Sequence, residues 1–221
     1  RMREFTQFGA EIFGVPGPEA DVELICIADM LFKKFGLKNI ELNINSIGCP
    51  LCRKDYLEKL RRFIGENLTE LCKECRKRYK RNSLWVLDCK NESCRRIVAK
   101  APVILDFLCR ECAGHFEGLK NELGLLGLEY TVNPRMVRGL DYYTKTVFEF
   151  VSKDLGAQDT LCGGGRYDGL VEEFEGPPTP GAGFGMGMER LMLVLDSQGK
   201  IPGQPKRPDL FIAIADESAV E

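Results

Sequence analysis

Apolar residues recur along this chain with two periods, and the points where the period changes mark out its elements. From Pro18 to Phe35 they stand at Leu24, Ile27, Ala28, Leu31 and Phe35, the spacing of one helix face, and Gly36 closes the run. Asn39 to Ser46 sets Ile40, Leu42 and Ile44 among Glu41, Asn43 and Asn45, which predicts a half-buried strand. Helical spacing returns within Lys54 to Ile64 at Tyr56, Leu57, Leu60, Phe63 and Ile64, and a further helix is expected from Cys109 to Leu126. Strands follow at Glu129 to Asn133 and Thr144 to Ser152. The stretch LCGGGRYDGL, Leu161 to Leu170, reads as a glycine-rich turn, and GAGFGMGMERLMLVL, Gly181 to Leu195, as a strand running into a helix. Strands separated by turns favour an antiparallel sheet, so the expected class is α+β with flanking helices and a helical module inserted into the body.

A chain of 221 residues has room for one large domain, or for one domain plus such a module. No apolar run approaches the roughly 18 residues that span a bilayer. No signal peptide opens the chain, so a cytoplasmic protein without a membrane segment is expected. Both ends read as cut from something longer: Arg1-Met2-Arg3-Glu4 lies inside an amphipathic pattern, and the chain stops soon after the apolar run from Leu210 to Ile214. The formal charge of −2 hides an asymmetry, because Ile47 to Gly127 holds 17 lysines and arginines against 11 aspartates and glutamates. A basic module in an acidic body suits a polyanionic partner, and a solvated helical surface is the competing account. Lys73 to Arg81 concentrates six of the cations in nine positions. There is one histidine, His115, within an expected helix, where it reads as a packing or surface residue. That nearly excludes mechanisms built on a positioned imidazole and leaves arginine, carboxylate, tyrosine or a metal.

Eight of the ten cysteines are paired: Cys49 with Cys52, Cys72 with Cys75, Cys89 with Cys94, and Cys109 with Cys112, leaving Cys26 and Cys162 outside the pattern. Three C-x2-C pairs and one C-x4-C pair carry the spacing of structural zinc ligands. Disulfides, redox pairs and fortuitous thiols compete with that reading, though a reducing compartment disfavours disulfides. The helix that starts near Lys54 would carry the second pair roughly 25 Å from the first if it ran on to Thr69. Pairing in sequential order therefore needs a break at Gly65. Four pairs allow three pairings into two sites, and the sequence does not choose among them.

Two stretches outside the module carry candidate chemistry. VRGLDYYTKTVFE, Val137 to Glu149, sets Arg138, a glycine turn, Asp141, Tyr142 and Tyr143 before a strand, the makings of a pocket wall for a polar, aromatic ligand. Gly181, Gly183, Gly185 and Gly187 alternate, so one strand face lacks side chains and a flat group such as adenine could lie on it, with Arg190 reaching back over the same face. The period of two and the missing G-x-G-x-x-G spacing exclude a dinucleotide-binding turn. Gly163-Gly164-Gly165 lacks the Lys-Ser/Thr of a P-loop.

Taken in order, four segments resemble the histidyl-tRNA synthetases of class II. RMREFTQFGAEIFG is similar to the latter half of motif 2, VRGLDYYTKTVFE to the first histidine-specific motif, LCGGGRYDGLV to the second, and GAGFGMGMERL to motif 3. The resemblance implies a class II antiparallel core over 1–46 and 128–196, an inserted domain over 47–127, and a linker with the first strand of an anticodon-binding domain over 197–221. It implies a histidine–tRNA ligase that consumes ATP with Mg2+, L-histidine and histidine tRNA, and a homodimer in the full-length protein. By the same resemblance Gln7 contacts the α-amino group of histidine, Glu11 and Tyr143 bracket its imidazole, and Tyr142 and Tyr167 line the pocket. Arg138 would bind the carboxylate and the α-phosphate, Arg190 the γ-phosphate and adenine beside Gly185 and Gly187, and Arg1 and Arg3 would face the tRNA acceptor end. The family does not require the paired cysteines, so zinc at Cys49, Cys52, Cys72, Cys75, Cys89, Cys94, Cys109 and Cys112 rests on spacing alone. Motif 1 and the first motif 2 arginine lie before Arg1, so the chain is expected to be inactive by itself. The alternatives are the synthetase-like regulatory subunit of ATP phosphoribosyltransferase, whose Arg-Gly-Leu-Asp-Tyr-Tyr string is relaxed where this one is intact, and a stand-alone zinc-bearing RNA-binding module.

Overall fold

A computed structural model describes residues 4–79, 82–87, 89–137, 142–156 and 159–201. The chain opens with strand β1 (Gln7–Phe13), helix α1 (Glu19–Lys34) and strand β2 (Ile40–Ser46). Next come helices α2 (Pro50–Glu66), α3 (Lys73–Arg78), α4 (Glu92–Val98) and α5 (Arg110–Leu125), with short 3-10 turns between them. Strands β3 (Thr131–Val132), β4 (Thr144–Ser152) and β5 (Thr160–Arg166) follow, then helix α6 (Leu170–Glu173), strand β6 (Gly181–Gly187) and helix α7 (Met188–Ser197). The strands form one six-stranded sheet in the order β1-β6-β5-β4-β2-β3.

The antiparallel expectation holds for every pairing except β2 with β3, which is parallel. β3 is also shorter than the strand expected from Glu129 to Asn133. It gains only two partners, Asn43 with Thr131 and Ile44 with Val132, at the sheet edge. A larger correction concerns LCGGGRYDGL: its first half is not a turn but β5, a central strand between β4 and β6. Three adjacent glycines conceal the period of two, and burial against a neighbour on each side outweighs their weak strand preference.

Helix α1 carries Glu19 and Asp21 in its first turn and Lys33 and Lys34 in its last, complementing the helix dipole. Gly36, with φ of +68°, ends it: its N–H reaches Lys33 O at 2.9 Å while Leu37 N–H reaches Phe32 O at 3.0 Å, a left-handed cap that a side chain would strain. The buried stripe is Asp21, Leu24, Ile25, Ala28 and Phe32, while Phe35 at the helix end is exposed. This stripe, Phe116, Leu119 and Leu123 of α5, and Ile44, Phe148, Phe150, Leu161, Phe184 and Met186 of the sheet make the main core. A second core, with Tyr56, Leu60, Ile64, Leu71, Val86 and Ile97, lies within the cysteine-rich segment. Helix α5 joins the two, since Cys112 belongs to the second and Phe116 to the first. No helix among the described residues is long and apolar enough to cross a membrane.

One fully buried guanidinium fastens these layers. Arg166, the last residue of β5, has all five N–H donors engaged. Nε and Nη2 reach Asp21 at 3.1 and 3.0 Å, Nη1 reaches Val15 O at 2.9 Å and Asp168 at 3.1 Å, and Nη2 also reaches Gly17 O at 2.6 Å. Asp21, equally buried, also accepts from His115 Nε2 of α5 at 2.9 Å. His115 is thus a buried bridge between α5 and α1, which settles the packing-or-surface alternative in favour of packing. Removing one member of a buried pair strands the other at about 3–5 kcal/mol, whereas the exposed Lys33–Asp29 pair at 2.7 Å is worth under about 1 kcal/mol. Urea unfolding of the intact protein is therefore expected to show a much larger loss for Asp21→Ala than for Asp29→Ala; equal losses would deny the network its role.

Candidate functional site

Strand register builds a trough on the sheet face opposite the main core. Residues directly paired in an antiparallel sheet point to the same side. Glu11 pairs with Gly183, Gly183 with Gly165, Gly165 with Val147, and Val147 with Asn45. One step along, Gly9 pairs with Gly185, Gly185 with Gly163, Gly163 with Glu149, and Glu149 with Asn43. Five glycines from three strands thus floor the centre. The opposite faces of β1 and β6 send Ala10, Ile12, Ala182, Phe184 and Met186 into the core.

Side chains already occupy much of this floor. Glu11 lies directly over Gly183, where any Cβ would collide with its carboxylate, and Gln7 Nε2 stands 3.1 Å from the Cβ position of Gly185. At Gly165 a Cβ would meet Thr146 O at 2.6 Å and Tyr143 Cδ1 at 2.9 Å, and at Gly181 it would meet Tyr167 at 2.6 Å and Phe13 at 3.3 Å. The glycines at 165, 181 and 183 therefore make room for the protein's own tyrosines and carboxylate. This corrects the simple picture of adenine lying on the whole glycine face and leaves the end at Gly185 and Gly187 for a flat group. Substituting Gly183 would displace Glu11 before it reached any ligand.

The trough has unlike ends. Tyr142, Tyr143 and Tyr167 gather at one, with ring centroids 4.9 Å apart for Tyr142–Tyr143, 5.9 Å for Tyr142–Tyr167 and 6.4 Å for Tyr143–Tyr167, and Phe13 meets Tyr167 edge-on at 6.2 Å. Tyr143 and Tyr167 are buried beside Met136 and Val147, which orders the aromatic wall. At the other end Arg190, in the first turn of α7, lies beside Gly187, and its Nη1 donates to Thr160 O at 2.6 Å, while Thr160 Oγ1 donates to Glu149 at 3.2 Å. Glu189 accepts from Thr6 N–H at 2.7 Å and sits at the helix N-terminus, where its own N–H and that of Thr6 lower its pKa. Glu11 as a whole is exposed, yet partial burial of its carboxyl raises its pKa. An aromatic cluster and a carboxylate over neighbouring glycines, followed by an open glycine floor and a guanidinium, can take a planar cation or N–H donor at one end and an anion at the other.

Gln7, Glu11, Tyr142, Tyr143, Tyr167, Gly185, Gly187 and Arg190 are thus brought to one face. Arg138, Arg1 and Arg3 lie outside the described residues. The segment leading to Arg138 is anchored, because Asn45 Nδ2 donates to Met136 O at 3.0 Å. Glu149, Asn45, Gly163 and Gly165 were missed as trough residues. Extending the period-two alternation of β6 to the glycine triplet would have found the last two.

The paired cysteines converge in a nested order. Cys49, Cys52, Cys109 and Cys112 form one group and Cys72, Cys75, Cys89 and Cys94 another, and within each group the sulfurs all lie within 4.8 Å of one another. Helix α2 runs through Gly65 to Glu66, so the first pair cannot turn back to the second and is met by the fourth instead. None of the eight is in a disulfide. Burial raises the Cys49 thiol, but N–H groups of Cys52 and Leu51 and neighbouring thiols outweigh it and bring it to about 7. The N–H of Cys75 leads the effects that bring Cys72 to about 7, while burial and thiol crowding push Cys75 and Cys112 well up. Four crowded sulfurs cannot all ionise without a cation among them. The basic run is partly ordered as α3, with Lys80 and Arg81 outside the described residues.

The sequence profile of the family described as Histidyl-tRNA synthetase matches residues 1–191. The histidine–tRNA ligase of Caldanaerobacter subterraneus subsp. tengcongensis is 59% identical over 219 residues, covering 99% of this chain and 52% of its own length. That of Acetivibrio thermocellus is 56% identical over 220 residues, with coverage of 99% and 52%. The chain therefore spans about half the length of the curated relatives it matches. The apo histidyl-tRNA synthetase of S. aureus matches with a TM-score of 0.70 at 38% identity, over 89% of this chain and 48% of that one. A Bacillus halodurans protein described as an ATP phosphoribosyltransferase regulatory subunit/histidyl-tRNA synthetase shares the fold, with a TM-score of 0.57 at 22% identity over 90% and 54% of the two chains. With the profile covering most of its length and close relatives along all of it, the chain belongs to the histidyl-tRNA synthetase family.

Proposed function

We propose that the protein carrying this chain is a histidine–tRNA ligase, which joins L-histidine to ATP as histidyl-adenylate and then passes histidine to its tRNA. The observation that carries the reading is the Glu11 carboxylate held over Gly183, on the same sheet face as the cluster of Tyr142, Tyr143 and Tyr167. A carboxylate there pairs with an imidazole N–H, and an apolar amino acid would leave it unpaired in a partly desolvated site. Gln7, beside Gly185, is assigned to the α-amino group, with the amino acid's carboxylate turned toward the open glycine floor. That carboxylate attacks the α-phosphorus of ATP, the bond to the bridging oxygen breaks, and pyrophosphate leaves. No imidazole base is required, because a carboxylate is already a nucleophile.

Arg138 is assigned to the histidine carboxylate and the α-phosphate, where a fixed guanidinium offsets charge gathering on the non-bridging oxygens. Arg190, with Gly185 and Gly187, is assigned to ATP, which arrives with Mg2+ as part of the substrate, and Arg1 and Arg3 to the tRNA acceptor end. In the second step the tRNA hydroxyl takes the histidyl group and AMP departs. Residues 1–46 and 128–196 form the catalytic core in this reading, 47–127 an inserted domain and 197–221 the approach to an anticodon-binding domain. The eight paired cysteines enter as structural ligands for zinc. The whole protein is assigned to the cytoplasm as a homodimer on the resemblance to the family. The regulatory-subunit alternative is disfavoured, since the relatives of 56–59% identity are histidine–tRNA ligases and the regulatory likeness is one of fold.

In the intact protein, histidine alone among the amino acids is expected to support ATP–pyrophosphate exchange; exchange driven by another amino acid would reject the reading. Arg138→Ala is expected to lower adenylate formation by at least about a hundredfold while histidine still binds. Glu11→Gln is expected to raise the KM for histidine by roughly ten- to a hundredfold, the worth of a hydrogen bond to a charged group. The raised pKa of Glu11 fixes the sign of its effect on stability. Its ionised form is less favourable folded than unfolded, so it costs stability above the folded pKa, and that cost disappears as pH falls below the unfolded value. Glu11→Gln should accordingly melt no lower than wild type at neutral pH. A lower Tm together with unchanged KM would make Glu11 a structural residue.

A further inference from the structure

We infer that the cysteine-rich segment binds two zinc ions with separate tasks: Cys72, Cys75, Cys89 and Cys94 hold one that joins the short helices α3 and α4, and Cys49, Cys52, Cys109 and Cys112 hold one that fixes the start of β4 behind the pocket tyrosines. The second task rests on the ligase reading; the two metal sites do not.

Sulfur geometry supports the ions. Four sulfurs about 2.3 Å from a central zinc lie about 3.8 Å apart along the edges of their tetrahedron. Cys49 and Cys52 Sγ are 3.6 Å apart, and Cys72 and Cys89 Sγ are 3.9 Å apart. A disulfide would need about 2.05 Å. Backbone N–H groups also point at the sulfurs: Cys109 N–H to Cys52 at 3.1 Å, Cys72 N–H to Cys94 at 3.2 Å and Cys75 N–H to Cys72 at 3.5 Å. Such bonds stabilise thiolates, the form that binds metal.

Location separates the tasks. The distal group joins helices α3 and α4, six and seven residues long, which are too short to persist unaided in water. The proximal group joins the N-termini of α2 and α5 and borders the histidine-motif strand. Gly48, next to Cys49, accepts from Lys145 N–H at 2.9 Å, and Ile47 N–H donates back to Lys145 O at 2.8 Å. Lys145 has a φ of +47°, which a side chain seldom adopts, and it stands two residues beyond Tyr143. Its Nζ meets Glu111, between Cys109 and Cys112, at 2.9 Å, and Asp168, next to Tyr167, at 3.2 Å. The left-handed kink at Lys145, at the start of β4 just beyond Tyr142 and Tyr143, is therefore clamped by both halves of the proximal group.

Elemental analysis of the intact protein, purified without added metal, should give two zinc ions per chain, and cobalt substitution should give the spectrum of tetrahedral thiolate sites. Cys49→Ser with Cys109→Ser should lose one ion and weaken histidine binding about tenfold, the usual scale for losing a supporting contact, with the KM for ATP unchanged. Cys72→Ser with Cys94→Ser should lose the other ion and leave histidine binding as it was. Glu111→Gln, which keeps every ligand, should retain both ions and still weaken histidine binding, giving a readout should the serine variants fail to fold. Fewer than two zinc ions in the wild type would overturn the sites, and equal weakening by both serine pairs would overturn the division of tasks. Two ions without histidine-dependent exchange would uphold the sites and reject the ligase reading. Two ions with no histidine binding at all would overturn the clamp.

Discussion

The buried charge of Arg166 is the constraint on which the arrangement turns. A guanidinium cannot shed its charge, and taking it out of water costs several kcal/mol unless every donor is met. Here the five donors tie β5, which carries the charge, to the loop carbonyls of Val15 and Gly17, to Asp21 of α1 and to Asp168 beyond β5. Through Asp21 the same charge reaches His115 of α5, and through Asp168 it reaches Lys145 and Glu111. Lysine would offer three donors without the planar fork, so the position is specific to arginine. Both ends of this chain of contacts return to α5, which ties the sheet, α1 and the cysteine-rich segment into one frame behind the pocket.

That frame explains how a sheet rich in glycine stays ordered. Glycine in a strand gives up packing and entropy, and β5 and β6 contain seven between them. The cost is offset on the core face by Phe148, Phe184, Met186 and Leu161, and at the end of β5 by Arg166. What the glycines yield is depth: Glu11, Tyr143 and Tyr167 settle onto the sheet at positions a Cβ would close. The pocket therefore depends on backbone placement, with side chains supplied from β1, from the residues before β4 and from the residue after β5.

Much of this was legible in sequence. The apolar periods located α1, β2, α2, α5 and β4 to within a few residues, because each buries one face against a single core. The alternation in GAGFGMG identified β6 and its bare face. The triplet Gly163-Gly164-Gly165 misled because alternation cannot be seen in three identical residues, and only the partners on each side make it a strand. The pairing of cysteines stayed open because it depends on how far α2 extends, and Gly65 alone does not end a helix whose buried stripe continues through Ile64. Arg166 and Asp21 gave no signal, since each reads locally as a surface residue and their meeting is set by the crossing of β5 under α1.

In the proposed function Glu11, above Gly183, receives the imidazole of histidine. A crystal structure of the intact protein with bound histidine tests this most directly. The expected result is an imidazole nitrogen within hydrogen-bonding distance of the Glu11 carboxylate, with the ring against Tyr143 and the α-amino group at Gln7. Histidine bound elsewhere, or in the trough with its imidazole turned away from Glu11, would contradict it.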